Sequence, residues 1–487
     1  METEIEIKFF FNSEFALELY KKVNSHDVIS SKKQLLDNVY FDTGKDRLRK
    51  MGMGLRIRSV DKKSEQTIKT LGRVIGGLHQ RPEYNEPIDG LHPNLARFNS
   101  KIWPADCDLK QLENELQPIF RTDFKRQTWV IEMPQETLIE VAYDSGFIET
   151  DRDKKEICEI ELELLKGDEN QLFVLGKTIA ELPLVRLGNV SKAQRGYMLA
   201  ESINFKAKAL APSPLTKSMS VEQALLINLQ HGLQHTQYHE HCYLESFADP
   251  ALYQLLQGIK FLHQNLKLVE NVVPQILNAA WVSELHWLVR SLSCFDERFI
   301  LQNMLEDDGF YIRKLPDFKS LIKKLEKQYN EQPDRQAIKE ILTSTRYCQF
   351  VLQFTQWLIQ FEKKPFFSQK PSGIESFAVD SLESRWWELK LLSHHKPFSI
   401  AQFLSYQGLL KSNLFLGLCV GNLFSAQKSK TLYSSWLDIQ QGINELAMLN
   451  VVAEYAQLET DKRSQDEYLK WVTCKQNSLL DALQQSK

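Results

Sequence analysis

Residues 2–9 read Glu-Thr-Glu-Ile-Glu-Ile-Lys-Phe, with charges at 2, 4, 6 and 8 and apolar side chains at 5, 7 and 9. A period of two is that of a strand with unlike faces. One face, Ile5, Ile7 and Phe9, needs cover. The other sets Glu2, Glu4 and Glu6 in a row beside Lys8. Carboxylates aligned on one face repel each other unless cations sit among them. Taken alone, the segment also reads as a solvated edge strand whose charges deter aggregation. What constrains the fold is the recurrence of the pattern through the first 200 residues.

Residues 38–43 read as a strand running into a turn. Residues 54–59 put Arg56 and Arg58 on one face and Leu55 and Ile57 on the other. In residues 65–71 Lys69 stands opposite Ile68, and in residues 79–88 Arg81, Glu83 and Asn85 share a face. Further on come Arg126, Thr128 and Val130, then Glu140, Ala142 and Asp144. Last, Glu159, Glu161 and Glu163 alternate with Ile160, Leu162 and Leu164. Helical patterns lie near 15–23, 109–119 and 172–182, and the Gly-rich segment 188–197 leads into a candidate helix. Strands with one apolar and one charged face, closed into a barrel, would bring the charges inside. The interior would hold Glu4, Glu6, Glu83, Asp144, Glu159, Glu161 and Glu163. It would also hold Lys8, Arg56, Arg58, Lys69, Arg81, Arg126 and Lys192. Each desolvated ion costs several kcal/mol unless compensated. A polyanionic ligand with metal ions supplies that compensation. Arg forks and Lys point charges suit phosphate oxygens. Carboxylates suit Mg²⁺ or Mn²⁺, hard cations that bridge to phosphate. Both signs in one cavity point to metal-assisted phosphoryl chemistry.

The 487-residue chain is long enough for two or three domains, and its 43% apolar content is ample for real cores. A net charge of −3 argues against a general nucleic-acid binder. No run of about 18 apolar residues predicts a membrane helix, and the N-terminus starts in a charged strand with no signal-like segment. Seven cysteines, at 107, 158, 242, 294, 348, 419 and 474, form no CxxC pair. A cytoplasmic setting without disulfides is therefore expected. Residues 209–214, Ala-Leu-Ala-Pro-Ser-Pro, read as a linker. Expected boundaries are 1–203, a linker at 204–218, and 219–487. Beyond the linker the period becomes helical. Leu321, Leu325 and Tyr329 form one stripe, as do Val351, Phe354, Leu358 and Phe361, and as do Trp281, Leu285 and Leu288. His231, His235 and His239 fall at i, i+4, i+8, with His241 and Cys242 following. They read either as a surface stripe or as transition-metal ligands. Trp386 and Trp387 read as core.

The first 203 residues resemble the CYTH superfamily, the triphosphate tunnel metalloenzymes. Glu4-Ile5-Glu6-Ile7-Lys8 matches the family's N-terminal ExExK signature. Leu55-Arg56-Ile57-Arg58 matches its paired-arginine strand and Thr67-Ile68-Lys69 its lysine strand. Arg81-Pro82-Glu83 and residues 159–163 match further strands. The resemblance implies an eight-stranded antiparallel barrel with a through tunnel, flanked by helices, whose members cleave triphosphates or cyclise ATP with divalent metal. It implies that Lys8, Arg56, Arg58, Lys69, Arg81 and Lys192 hold phosphate oxygens, with Arg126 a less direct match. It implies metal ligation by Glu4, Glu6, Glu159 and Glu161, then Glu163. Glu83 and Asp144 are secondary. Glu4, Glu6, Lys8 and Glu161 are the expected catalytic set. A barrel followed by a helical bundle resembles the CYTH–CHAD arrangement of bacterial inorganic triphosphatases, so the expected class is α+β. CHAD domains are associated with polyphosphate through dense basic faces. The matching stretches here, 250–263 and 401–411, hold only Lys260 and His263, and Lys411, so a degenerate CHAD half is expected.

The leading expectation is a phosphoanhydride hydrolase: a metal-dependent inorganic triphosphatase acting on tripolyphosphate. Longer polyphosphate is a further candidate partner; nucleic acid and membrane are not. No GxxxxGK[ST] loop is present. In-line displacement needs positioning and charge neutralisation more than a protein nucleophile. The alternatives are an organic triphosphate (thiamine triphosphate, a nucleotide, or ATP cyclised to cyclic AMP) and a non-catalytic polyphosphate-binding scaffold.

Overall fold

The computed structural model describes residues 2–60, 63–274, 277–292, 294–306, 318–331, 335–363, 373–393, 407–424, 426–457 and 462–485, with residues 315 and 405. Two compact units are present. The first comprises Met1–Lys206 and Glu340–Ile359, the second Ala207–Lys339 and Gln360–Lys487.

In the first unit, ten strands run β1 (Glu2–Phe10), β2 (Asp27–Thr43), β3 (Gly54–Val60), β4 (Lys63–Lys69), β5 (Arg73–Ile75), β6 (Leu78–Ile88), β7 (Leu116–Met133), β8 (Thr137–Glu149), β9 (Lys154–Lys166) and β10 (Arg186–Leu187). They are interrupted by α1 (Ala16–Val23), α2 (Arg47–Lys50), α3 (Leu109–Asn114) and α4 (Asn170–Ile179) and followed by α5 (Lys192–Ala200). Pairing follows β1-β9-β8-β7-β2-β3-β4-β6, and β6 pairs back onto β1. That return closes eight antiparallel strands into a barrel; β5 and β10 are short additions to β6 and β1. Closure removes both sheet edges, so the charged faces meet inside, as the alternation predicts. Phe9, Leu55, Ile57, Ile68, Ile160 and Leu162, on the opposite face, are buried at 0–1% exposure beneath the surrounding helices and loops.

The interior is not charged along its whole length. Leu36, Phe120, Phe124, Ile148 and Ile157 share the inward face with the charged residues of their strands, and Tyr197 of α5 packs against them with Tyr40. Helix α5 thus fills one end of the barrel. Ser191 caps it, its side chain accepting from the Gln194 N–H at 3.1 Å. Asp42, fully buried, holds the same region by accepting from the N–H groups of Leu48 and Arg49 and from the Tyr197 hydroxyl. Helix α3 stops at Asn114, short of the expected 119, because Leu116 onward pairs with β2 from Thr43. Cross-strand pairing overrode the local helical pattern there.

The second unit begins with a strap, not a free linker. Leu210, Ser213 and Leu215 are buried, and the Ser213 N–H donates to Leu418 O at 2.9 Å. The unit's helices are α6 (Val221–Ser246), α7 (Asp249–Val272), α8 (Ala279–Ser291), α9 (Cys294–Glu306), α10 (Phe318–Glu331) and α11 (Arg335–Leu342). They continue with α12 (Thr345–Lys363), α13 (Ile374–Ser393), α14 (Gln407–Val420), α15 (Ala426–Gln457) and α16 (Lys462–Gln485). The first part of α12 belongs to the barrel unit, where Leu352 packs by Gly176 and Thr355 by Gly76.

The histidines of the α6 stripe spend ring nitrogens on backbone groups. His239 is fully buried. Its Nδ1 donates to His235 O and its Nε2 accepts the Lys208 N–H. His231 Nε2 donates to Ala211 O at 2.8 Å, and His235 Nε2 to Gln254 O at 3.1 Å. Burial, then His239, pushes His235 down to about 3, so it is neutral. No metal-ligating group of three lies there among the described residues. The histidines fasten the strap and α7 instead. Residues 401–404 and 406, and the side chains of Trp386 and Trp387, lie outside the described residues.

A Cβ at Gly196 would stand 2.1 Å from the Phe120 ring, which itself stacks on Tyr40. Gly196→Ala should therefore destabilise the barrel unit by about 1–3 kcal/mol, the usual cost of overpacking. Thermal denaturation checks this as a fall in Tm.

Candidate active site

The barrel encloses a cavity of about 500 Å³. Twelve of the residues expected from sequence line it: Glu4, Glu6, Lys8, Arg56, Arg58, Lys69, Arg81, Glu83, Arg126, Glu161, Glu163 and Lys192. Asp144 and Glu159 stand directly behind the lining, both nearly inaccessible. Their positions follow from register. Glu4 lies opposite Arg81, Lys8 opposite Glu161, Arg56 opposite Tyr40, and Arg126 opposite Asp144.

One group of carboxylates is heavily neutralised. Asp144 and Glu159 face each other across β8 and β9, a repulsive arrangement unless cations intervene. Arg126 grips Asp144 with two parallel hydrogen bonds, at 2.7 and 2.6 Å, and reaches Glu161 at 2.6 Å. Lys192 bonds Glu159, Asp144 at 2.6 Å and Glu161 at 3.0 Å. Lys8 lies 2.5 Å from Glu161 and 3.0 Å from Glu6. Burial pushes the Glu161 carboxyl up, but Lys192, Lys8 and Arg126 outweigh it and hold it well below the usual range. Oxygens of Asp144, Glu159 and Glu161 lie within 4.8 Å of one another, making a buried acidic cluster.

Other groups lack this balance. Burial, then Glu4 and Glu6, pushes Glu163 up to about 8. Glu4 is raised by burial and Glu6, although Lys69 bonds it. Glu140, opposite Glu163, is raised chiefly by burial. The cations have the converse problem. Arg58 donates to Asn38 at 2.8 Å, and burial with Arg56 and Arg126 nearby lowers it to about 9. Arg56 is 3.6 Å from Glu83, and the Nε atoms of Arg56 and Arg81 are buried without a partner. Glu83 is satisfied: burial raises it, but Lys69 at 2.9 Å and Arg56 bring it down to about 2. One cavity therefore contains both underused cations and underneutralised carboxylates.

Sequence reasoning missed several participants. Arg195, one helical turn from Lys192, is 4% exposed and bonds Glu159. It sits in the quoted segment 188–197, and the i, i+3 spacing from Lys192 was the available signal. Tyr40, Arg49 and Tyr197 also line the cavity. His79 does so too, sharing the inward face of Arg81 and Glu83 by its period of two.

Residues 2–197 match the family model of the CYTH domain, and residues 228–455 that of the CHAD domain. The chain carries a CYTH domain followed by a CHAD domain. The CYTH region is similar to an inorganic triphosphatase of Haemophilus influenzae, 38% identical over 198 residues, or 40% of this chain and 54% of that protein. The chain thus spans about half the length of this curated relative. Among solved structures, a plant CHAD domain from Ricinus communis is 17% identical, covering 58% of this chain and 95% of that one, with a TM-score of 0.42. A Hippeastrum protein assigned as an adenylyl cyclase, with a dominant triphosphatase activity, is 18% identical, covering 41% and 95%, with a TM-score of 0.30. No described helix is long and apolar enough to cross a membrane.

The raised Glu163 gives the CYTH domain a pH signature. A carboxyl whose folded pKa exceeds its unfolded one binds its proton more tightly when folded, so stability falls as pH rises from the unfolded value to about 8. Glu163→Gln removes that loss. In EDTA, the Tm gain of Glu163→Gln over the parent chain should be larger at pH 8 than at pH 5; equal gains would contradict the assignment.

Proposed function

We propose that the tunnel hydrolyses inorganic tripolyphosphate to pyrophosphate and phosphate with a divalent cation of the Mg²⁺ or Mn²⁺ kind. The observation that carries this reading is the coexistence of unsatisfied guanidinium Nε atoms, on Arg56 and Arg81, with the underneutralised Glu4 and Glu163 in one cavity. A bare polyanion would satisfy the first and aggravate the second. A metal–triphosphate complex satisfies both. The name of the Haemophilus influenzae relative supports the same substrate.

In this reading Lys8, Arg56, Arg58, Lys69, Arg81, Arg126 and Lys192 hold the phosphate oxygens. Glu4, Glu6, Glu161 and Glu163 provide the oxygen ligands for the cation, an all-oxygen set of the type hard divalent ions take; Glu159, expected among them, stands behind the lining on Lys192 and Arg195 and could ligate only if they released it. Bound there, the cation would neutralise phosphate charge and supply a positioned water. The chain's own part is to fix geometry. Arg126 and Lys192 keep Glu161 ionised and in place, and Lys8, between Glu6 and Glu161, would meet the phosphate chain. Preorganised charge of this kind needs no reorganisation at the moment of transfer.

A second reading draws on Leu71, 79% exposed, and Leu165, 49% exposed, which line the cavity with Met53 and Leu164. These could face the organic part of a nucleotide or of thiamine triphosphate. Phosphate release from tripolyphosphate, ATP and thiamine triphosphate decides between the two. Tripolyphosphate should give the highest kcat/KM, and EDTA should abolish release. A higher value for either organic substrate would overturn the choice. Glu161→Gln should lower kcat at least about 100-fold. Arg56→Ala should raise KM about ten- to a hundred-fold, the worth of a charge-assisted hydrogen bond, with less effect on kcat.

A further inference from the structure

Lys192 reaches the acidic cluster from the first turn of α5, and α5 is tied to the barrel wall through a short approach, residues 188–191. It follows directly on β10, whose Arg186 and Leu187 pair with β1, and Gly188 extends that pairing. Gly188 N–H donates to Lys8 O at 2.8 Å, and Lys8 N–H donates in turn to Gly77 O at 3.1 Å. Gly188 O lies 2.9 Å from His79 Nε2. A carbonyl only accepts, so Nε2 carries the proton and Nδ1 the lone pair. His79 is 2% exposed, opposite Glu6 on β1. Burial, then Lys8 and Arg81, hold it near 3 and therefore neutral. Packing leaves little room: a Cβ at Gly188 would stand 3.3 Å from Lys8 Cβ, and one at Gly77 2.7 Å from Leu187. Three residues after Gly188, Ser191 starts α5, and Lys192 follows at once.

We propose that His79 is a positioning residue that clamps Gly188, fixes the start of α5 and so holds Lys192 on Asp144, Glu159 and Glu161. The chain of action runs from an imidazole N–H to a backbone carbonyl and along four residues to an ammonium group. A neutral ring suits the task, since a charged one between Lys8 and Arg81 would repel both. The substrate part of this inference rests on the tripolyphosphate reading; the structural part does not.

The test uses the full chain with His79→Phe, His79→Asn and His79→Gln. Phe keeps the ring volume without the donor. Asn places its amide near the Nδ1 position, short of Gly188, whereas Gln places its amide near Nε2. Amide hydrogen exchange of residues 188–196 is measured beside tripolyphosphate KM, kcat and Tm. His79→Phe and His79→Asn should each speed exchange of that segment and raise KM about ten-fold, the factor for one net hydrogen bond. Exchange of β7 and β8 should stay unchanged. His79→Gln should return both readouts to within about three-fold of the parent chain, as a donor restored at the right reach would. Unchanged exchange at 188–196 in both Phe and Asn variants would overturn the proposal, as would a Gln variant no better than Asn. If Phe unfolds the barrel, the Asn–Gln comparison decides alone. If the parent chain does not cleave tripolyphosphate, the function reading fails and the exchange measurement still decides the clamp.

Discussion

Three cations from three separate elements meet on the Glu161 carboxylate: Lys8 from β1, Arg126 from β7 and Lys192 from α5. Much of the domain's form follows from keeping that meeting intact. Closing eight strands buries the charges, and buried charge is tolerated only where partners are close and well oriented. Glu161 supplies one such focus and Asp144, gripped bidentately by Arg126, another. Each member has more than one partner, so removing one weakens several ion pairs at once. The barrel, the helix filling its end and the salt-bridge network are therefore mutually dependent.

The two ends of the charge network differ in kind. Around Asp144, Glu159 and Glu161 the protein satisfies itself, with Arg195 added from α5. Around Glu4, Glu140 and Glu163, carboxylates crowd beyond what Lys69 can neutralise. Such asymmetry is costly to the folded chain alone, and functional cavities are where this cost is commonly found. The self-satisfied end gives rigidity, and the unsatisfied end leaves an interaction for a ligand to complete.

The sequence was legible where the period was local. Glu4, Glu6 and Lys8, or Arg56 and Arg58, sit two residues apart, and one face of a strand is all that must be inferred. The CYTH and CHAD regions were legible for the same reason, because strand and helical periods change at the strap. What escaped was set by distant partners. Which end of the barrel turns apolar depends on α5 packing against Phe120 and Ile148. Residues 115–119 carry a helical pattern, yet β2 claims them as strand. The spacing of His231, His235 and His239 correctly gave a helix face, but not that residues 208–211 would lie along it and use the ring nitrogens of His231 and His239, with His235 bonded to Gln254. His79 was hidden because its partner, Gly188, is 109 residues away.

The proton retained by Glu163 has a consequence for how this cavity takes up ligand. Below a pH of about 8 that carboxyl is mostly protonated, and a ligating oxygen must first lose its proton. A cation held there, as proposed, would therefore compete with hydrogen ions, and its uptake would release protons to the solvent. Its apparent affinity would climb with pH through the neutral range. If Glu163 takes part in holding the proposed cation, its crowding against Glu4 and Glu6 would couple occupancy to acidity, one kind of positive charge being exchanged for another.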